Sequence, residues 1–220
     1  MKEYQLVIFD VDGILFNTEH IYLDTYNTIG RKYGIRELNG DLFQKTVGIS
    51  GKDTEILFDR LLADREDRQE LLKEIRAYGK HKIDTDLKML EGAEEMLRYW
   101  QKRNIPIAAA TSTIRSLTDE RFARMKITSY FKCIVCGDEV IRKKPDPEIY
   151  LTVMKKMGIE SSRVLVFEDT GYGIRAARAA GADCILVPAV TIPSEEEKTM
   201  AVYTAEDMYD AVNFLEQQNS

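Results

Sequence analysis

Leu6-Val7-Ile8-Phe9-Asp10-Val11-Asp12-Gly13 is the stretch whose reading decides the fold. Its four leading apolar residues read as a buried strand, and two carboxylates stand where that strand ends. Open α/β sheets hold their ligands at the carboxyl ends of their strands, so this segment predicts a parallel sheet and its working edge together. At a period of two, Asp10 and Asp12 are expected to leave the strand on the same side. Like charges that close are unfavourable unless a cation, a shared proton or a cationic side chain compensates them. Taken alone, the segment is equally an acidic Asp-Gly turn closing a strand.

Three later segments repeat the arrangement. Ile105-Pro106-Ile107-Ala108-Ala109-Ala110 runs into Thr111-Ser112-Thr113, hydroxyls that bind an anion or cap the next helix. Cys133-Ile134-Val135-Cys136 precedes Lys143-Lys144-Pro145-Asp146-Pro147, in which the lysines serve a site or face solvent and Asp146-Pro147 opens a helix. Val164-Leu165-Val166-Phe167 ends in a second acidic pair, Glu168-Asp169, followed by Thr170-Gly171-Tyr172-Gly173. One sheet edge thus gathers carboxylates, hydroxyls, a lysine and more carboxylates. That inventory suits metal-assisted phosphoryl transfer. Asp10, Asp169 and a backbone carbonyl are hard oxygen ligands of the kind Mg²⁺ takes. Lys144 would neutralise a phosphoryl group, and the Thr111 hydroxyl with nearby N–H groups would hold its oxygens. One carboxylate would attack phosphorus while the other moves protons.

On Phe9-Asp10-Val11-Asp12-Gly13, Ala110-Thr111-Ser112, Lys144-Pro145-Asp146-Pro147 and Val166 to Ile174, in that order along the chain, the sequence resembles the haloacid dehalogenase superfamily of phosphohydrolases. It is similar to the phosphoglycolate phosphatases, pyrophosphatases and β-phosphoglucomutases of that group. The resemblance implies an α/β, doubly wound parallel sheet (a Rossmann-like core, residues 1–15 and 85–220) with a small all-helical cap domain of the C1 type (residues 16–84). It implies Asp10 as the nucleophile that forms an aspartyl-phosphate, and Asp12 as the group that protonates the leaving oxygen and then activates water. Thr111 would bind phosphate and Lys144 would bridge phosphate and nucleophile. Mg²⁺ would be held by Asp10, the Asp12 carbonyl and Asp169, with Glu168 as ligand or support. Gly13 and Ser112 would complete the phosphate cradle. In the cap loop Val47-Gly48-Ile49-Ser50-Gly51-Lys52-Asp53, Gly51 and Lys52 would meet a substrate anion, unless the segment is an ordinary turn capping the next helix. Tyr22 stands where the sugar phosphomutases carry a histidine, and Gly51 where they carry an arginine that Lys52 replaces only as a point charge. Ile14 and Asn17 replace the Thr and Asp common beside the nucleophile loop. The expected activity is Mg²⁺-dependent hydrolysis of a small phosphorylated metabolite, with a phosphomutase or pyrophosphatase as the alternatives. A non-catalytic binding protein is disfavoured because Asp10, Asp12, Thr111, Lys144 and Asp169 are all present.

Composition bounds the rest. A chain of 220 residues, 44% hydrophobic, supports one core and a small insertion. A net charge of −6 argues against nucleic acid or an anionic membrane as partner, and no apolar run approaches the ~20 residues of a membrane span. Three irregularly spaced cysteines and an opening strand in place of a signal peptide lead to a cytoplasmic expectation, as monomer or weak homodimer. Cys133 and Cys136 read as core packing, and His20 and His81 as surface residues. Gly171-Tyr172-Gly173-Ile174-Arg175-Ala176 imitates a dinucleotide fingerprint, but Glu168-Asp169 beside it would repel a pyrophosphate. Strands are expected at about 4–9, 105–110, 132–136, 163–168 and 183–187, and cap helices at about 19–33, 53–63 and 66–80. A helix from Ala93 through Trp100 should return the chain to the sheet. A charged turn at Glu195-Glu196-Glu197 and a last helix near 204–217 complete the reading.

Overall fold

A computed structural model describes residues 2–47 and 51–218, with residues 51–53 described by backbone course alone. β1 (Leu6–Phe9), β2 (Ile107–Ala110), β3 (Phe131–Val135), β4 (Val164–Glu168), β5 (Asp183–Leu186) and β6 (Tyr203–Thr204) form one sheet in the order β3-β2-β1-β4-β5-β6. All pairings are parallel. β1 lies at the point where the order reverses, the crevice in which such sheets bind ligands.

The central strands β1 and β2, and β4 up to Glu168, are apolar because both faces are covered. Val7 and Phe9 point into a cluster with Leu97 and Trp100 of α5 (Ala93–Lys102), Phe122 of α6 (Arg115–Arg124) and Leu215 of α10 (Met208–Gln217). Leu6 and Ile8 alternate to the other face, against Tyr150 and Val153 of α7 (Glu148–Met157) and Ile174 of α8 (Gly171–Ala179). Phe9 and Phe167 stack across neighbouring strands at 4.8 Å. Truncating a ring buried in this way costs about 3–5 kcal/mol.

Between β1 and α5 run α1 (Thr18–Tyr33), α2 (Gly40–Thr46), α3 (Gly51–Leu61) and α4 (Arg68–Asp86). They bury a cluster of their own, in which Tyr26 meets Phe43 and Phe58 edge-on. The chain enters and leaves this segment side by side. Leu90 N donates to Leu15 O at 3.0 Å, Asn17 N to Lys88 O at 3.2 Å, and Phe16 forms an antiparallel bridge with Met89.

Several elements differ from the sequence reading. β6, two residues long, is too short to show a period. α2 carries its own signal, Asn39, whose side chain accepts from Asp41 N and Leu42 N. The Glu195-Glu196-Glu197 turn is instead a helix, α9 (Glu195–Met200), because Ser194 and Glu197 form a reciprocal capping box. The last helix begins at Met208, with Asp207 accepting from Asp210 N, so the residues from 204 to 207 are strand end and loop. Among the described residues no helix is long and apolar enough to cross a membrane.

Candidate active site

The register of the sheet levels the polar groups. Phe9 lies opposite both Ala109 and Phe167, so Asp10, Ala110 and Glu168 emerge at one height on the carboxyl edge. After Phe9 the chain coils, with Leu15 N and Phe16 N both donating to Val11 O. Asp10 and Asp12 still line one cavity, as the strand period predicts, but each has its own cationic partner.

Asp10 is buried and its Oδ1 accepts from Lys144 Nζ at 2.6 Å. The same ammonium donates to Glu168 Oε1 at 2.5 Å and to Ala110 O at 3.3 Å. Lys143 turns away to the carbonyls of Gly137 and Val140, which leaves Lys144 as the lysine of the site. Burial works against the Lys144 charge, but Asp10 and Glu168 outweigh it and hold the ammonium above its ordinary value. Burial likewise pushes the Asp10 carboxyl up, and Lys144 opposes that push.

Glu168 is saturated by protein donors. Tyr150 Oη donates to Oε1 at 2.5 Å, while Oε2 takes Asp169 N at 3.1 Å and Thr170 Oγ1 at 3.2 Å. Gly173 is required here, since a Cβ on it would lie 1.9–2.0 Å from the Glu168 carboxyl. Of the two glycines that imitate a nucleotide fingerprint, Gly173 thus serves close packing beside the acidic pair and Gly171 packs against Glu197.

Asp169 is the opposite case, because both its oxygens are buried without a hydrogen-bond partner. Burial first, then the charges of Glu19, Glu168 and Asp10, push its carboxyl well above the usual carboxylate range. Asp10, Glu168 and Asp169 each bring an oxygen within 4.8 Å of the others. Gly13 (φ +85°) passes so close that a Cβ would stand 2.1 Å from Asp169 Oδ2. Glu19 of α1 joins them, buried, with Oε2 unpartnered and its carboxyl pushed up to about 7, burial being the main cause. Four buried carboxyl groups share one buried ammonium. A cluster of hard oxygens short of positive charge fits a divalent cation.

Asp12 faces a cavity of about 750 Å³ between the α1–α4 segment and the sheet edge. Its Oδ2 accepts from Thr113 Oγ1 at 2.6 Å and Thr111 Oγ1 at 3.2 Å, and its Oδ1 from Arg121 Nη1 at 2.9 Å. Burial alone would raise this carboxyl, but Arg121 and the hydroxyls of Thr113, Thr18 and Thr111 hold it below the usual range. Asp10, Asp12, Ser112, Lys144 and Asp169 all line the cavity. Thr111 is fully buried and engaged with Asp12, so Ser112 and Thr113 stand nearer the open space than the expected phosphate-binding hydroxyl does. α3 begins at Gly51, but the side chains of residues 51–53, Lys52 included, and all of 48–50 lie outside the described residues. Arg121, Tyr150 and Glu19 belong to the site without having been singled out in the sequence, and Thr113, read there only as one of a run of hydroxyls, proves to hold Asp12.

A family model described as haloacid dehalogenase-like hydrolase matches residues 7–187. The chain belongs to this family. Within it, the haloacid dehalogenase-like chain is 33% identical over 181 residues to a phosphorylated carbohydrates phosphatase of Thermotoga maritima, covering 82% of this chain and 83% of the relative. It is 26% identical to a fructose-1-phosphate phosphatase of Escherichia coli, covering 84% and 96%. The crystal structure of a putative β-phosphoglucomutase from Thermotoga maritima superposes with a TM-score of 0.77 at 29% identity, covering 97% of this chain and 99% of that one. The haloacid dehalogenase-like chain is accordingly a phosphoric monoester hydrolase on an α/β fold.

Proposed function

We propose that this hydrolase cleaves a small phosphorylated metabolite through an aspartyl-phosphate on Asp10, with Mg²⁺ as the divalent cation. The observation that carries the reading is the contrast between Asp10, bound to Lys144 at 2.6 Å, and Asp169, buried beside it with no partner for either oxygen. Asp169, Asp10 and the Asp12 backbone carbonyl would hold the ion, with Glu168 fixing Lys144 and the Asp169 backbone from behind. When bound, the ion supplies positive charge against the phosphoryl oxygens.

In the first step an Asp10 oxygen forms a bond to phosphorus as the bond from phosphorus to the leaving oxygen breaks, and Asp12, having taken up a proton from solvent beforehand, gives it to that oxygen. In the second, water forms the new bond to phosphorus while Asp12 takes its proton. Phosphate leaves and the Asp10 carboxylate returns. Lys144 balances charge at the nucleophile throughout, and Ser112 with the neighbouring backbone offers donors to the transferred group. The α1–α4 helices act as a cap, closing the cavity against water.

Hydrolysis is preferred to transfer onto a second sugar phosphate because Tyr22 occupies the first cap helix, at the place where the resemblance to the sugar phosphomutases implies a histidine. The test is phosphate release from a panel of sugar phosphates, glycerol phosphate and pyrophosphate, with Mg²⁺ and with EDTA, for the native chain and for Asp10→Asn. Metal-dependent release by the native chain alone is the expected result. Undiminished release by Asp10→Asn would overturn the mechanism, and conversion of β-glucose 1-phosphate to glucose 6-phosphate in place of release would make the enzyme a mutase.

A further inference from the structure

Arg121 has no part in the scheme above, yet it is the one buried arginine among the described residues. It stands on α6, whose other arginines, Arg115 and Arg124, are less buried and bond elsewhere. Its Nη1 donates to Asp12 Oδ1 at 2.9 Å, opposite the Thr113 hydroxyl on Oδ2 at 2.6 Å. Across the cavity its charge bears on the Tyr22 phenol of α1, acting against the burial that raises that group. A guanidinium withdrawn from water needs a fixed anionic partner, and here the partner is Asp12.

We propose that Arg121 is a positioning residue for the reaction. It orients the Asp12 carboxyl toward the transferred proton and, through Tyr22, ties that orientation to the position of the cap. The proposal rests on the assignment of Asp12 as the proton-transfer group. Arg121, Thr111 and Thr113 hold the carboxyl from the sheet edge and Thr18 adds a hydroxyl from α1, while the charge of Arg121 also bears on Tyr22 of the same helix. Without it, the Asp12 side chain keeps hydroxyl donors alone.

The experiment compares Arg121→Met, Arg121→Lys and Tyr22→Phe with the native enzyme in Mg²⁺, on p-nitrophenyl phosphate and on the best alkyl phosphate of the panel. Nitrophenolate leaves without a proton, so the first step should survive in Arg121→Met as a burst of about one nitrophenolate per enzyme, followed by turnover slowed at least about tenfold. On the alkyl ester kcat should fall by roughly 10²-fold with KM within about threefold. Arg121→Lys should recover part of that loss, and Tyr22→Phe should lower kcat by a few-fold in the same direction. In an Asp12→Asn background, Arg121→Met should change kcat by less than about threefold, since the two residues act as one unit. A raised KM with kcat intact would make Arg121 a substrate anchor and overturn the proposal, as would full additivity with Asp12→Asn. Should Arg121→Met fail to fold, unchanged kcat in both Arg121→Lys and Tyr22→Phe would overturn it equally. A native chain silent on every ester would instead sink the phosphatase reading, and the proposal with it.

Discussion

Lys144 shows what a single side chain can do in this site. It is the sole buried cation touching Asp10 and Glu168, and removing one member of a buried ion pair costs about 3–5 kcal/mol. Lys144→Met should therefore abolish turnover and lower stability together. Its raised folded-state pKa means that the native ammonium contributes stability in full below its ordinary value of 10.5 and loses it at higher pH. In the variant, Asp10 loses the ammonium that opposes the upward push of burial and has to take up a proton to stay buried, so the folded state binds more protons than the unfolded one. Denaturant titrations should accordingly show a larger deficit at pH 8 than at pH 5, and an equal deficit at both would contradict the charge balance drawn here. Residues of this kind were legible in the sequence because each follows an apolar run at the same sheet edge. Arg121 was not, since Arg115-Ser116-Leu117-Thr118-Asp119-Glu120-Arg121 reads as a solvated helix. The only sequence signal was its place beside Phe122 and three residues after Thr118, the stripe that α6 buries. Tyr150 was hidden because its partner, Glu168, lies on another element of the fold.

Elements were easier to read than their ends. The five apolar strand runs and the helices between them were visible as periods, whereas α2 and α9 are set by side-chain caps that a periodicity does not register. The junction between sheet and cap is an element of this second kind. Asn17 Nδ2 donates to Asp86 O at 3.2 Å and Asn17 Oδ1 accepts from Lys88 N at 2.8 Å, so one amide clamps the outgoing and returning chains. An Asp at this place keeps the acceptor and loses the donor. Asn17→Asp should leave the Asp86 carbonyl short of a partner and lower stability by about 1 kcal/mol, read as a fall of about 2–4 °C in Tm for a chain of this size. No change in Tm would mean that the clamp is not held in solution.

At the scale of the molecule, the buried carboxyl cluster makes stability depend on metal. The metal-free fold confines Asp10, Glu168, Asp169 and Glu19 around one ammonium, and a cation that binds only the folded state offsets that repulsion. At 100 times its dissociation constant a ligand adds about 2.7 kcal/mol, so Mg²⁺ should raise Tm by roughly 5–10 °C over EDTA. Asp169→Asn should abolish most of that rise while unfolding no earlier than the native chain in EDTA, because it removes a charge that has no partner. An equal Mg²⁺ response in the two proteins would place the ion elsewhere. The paired strands at the cap junction carry a different consequence, for descent. Because Leu15 and Leu90 are already hydrogen-bonded neighbours, the sheet meets the insertion as a hairpin meets its loop, and doubling the length of such a loop costs only about 0.6 kcal/mol in closure entropy. The catalytic floor can therefore exchange one roof for another, longer or shorter, with little penalty to its own folding.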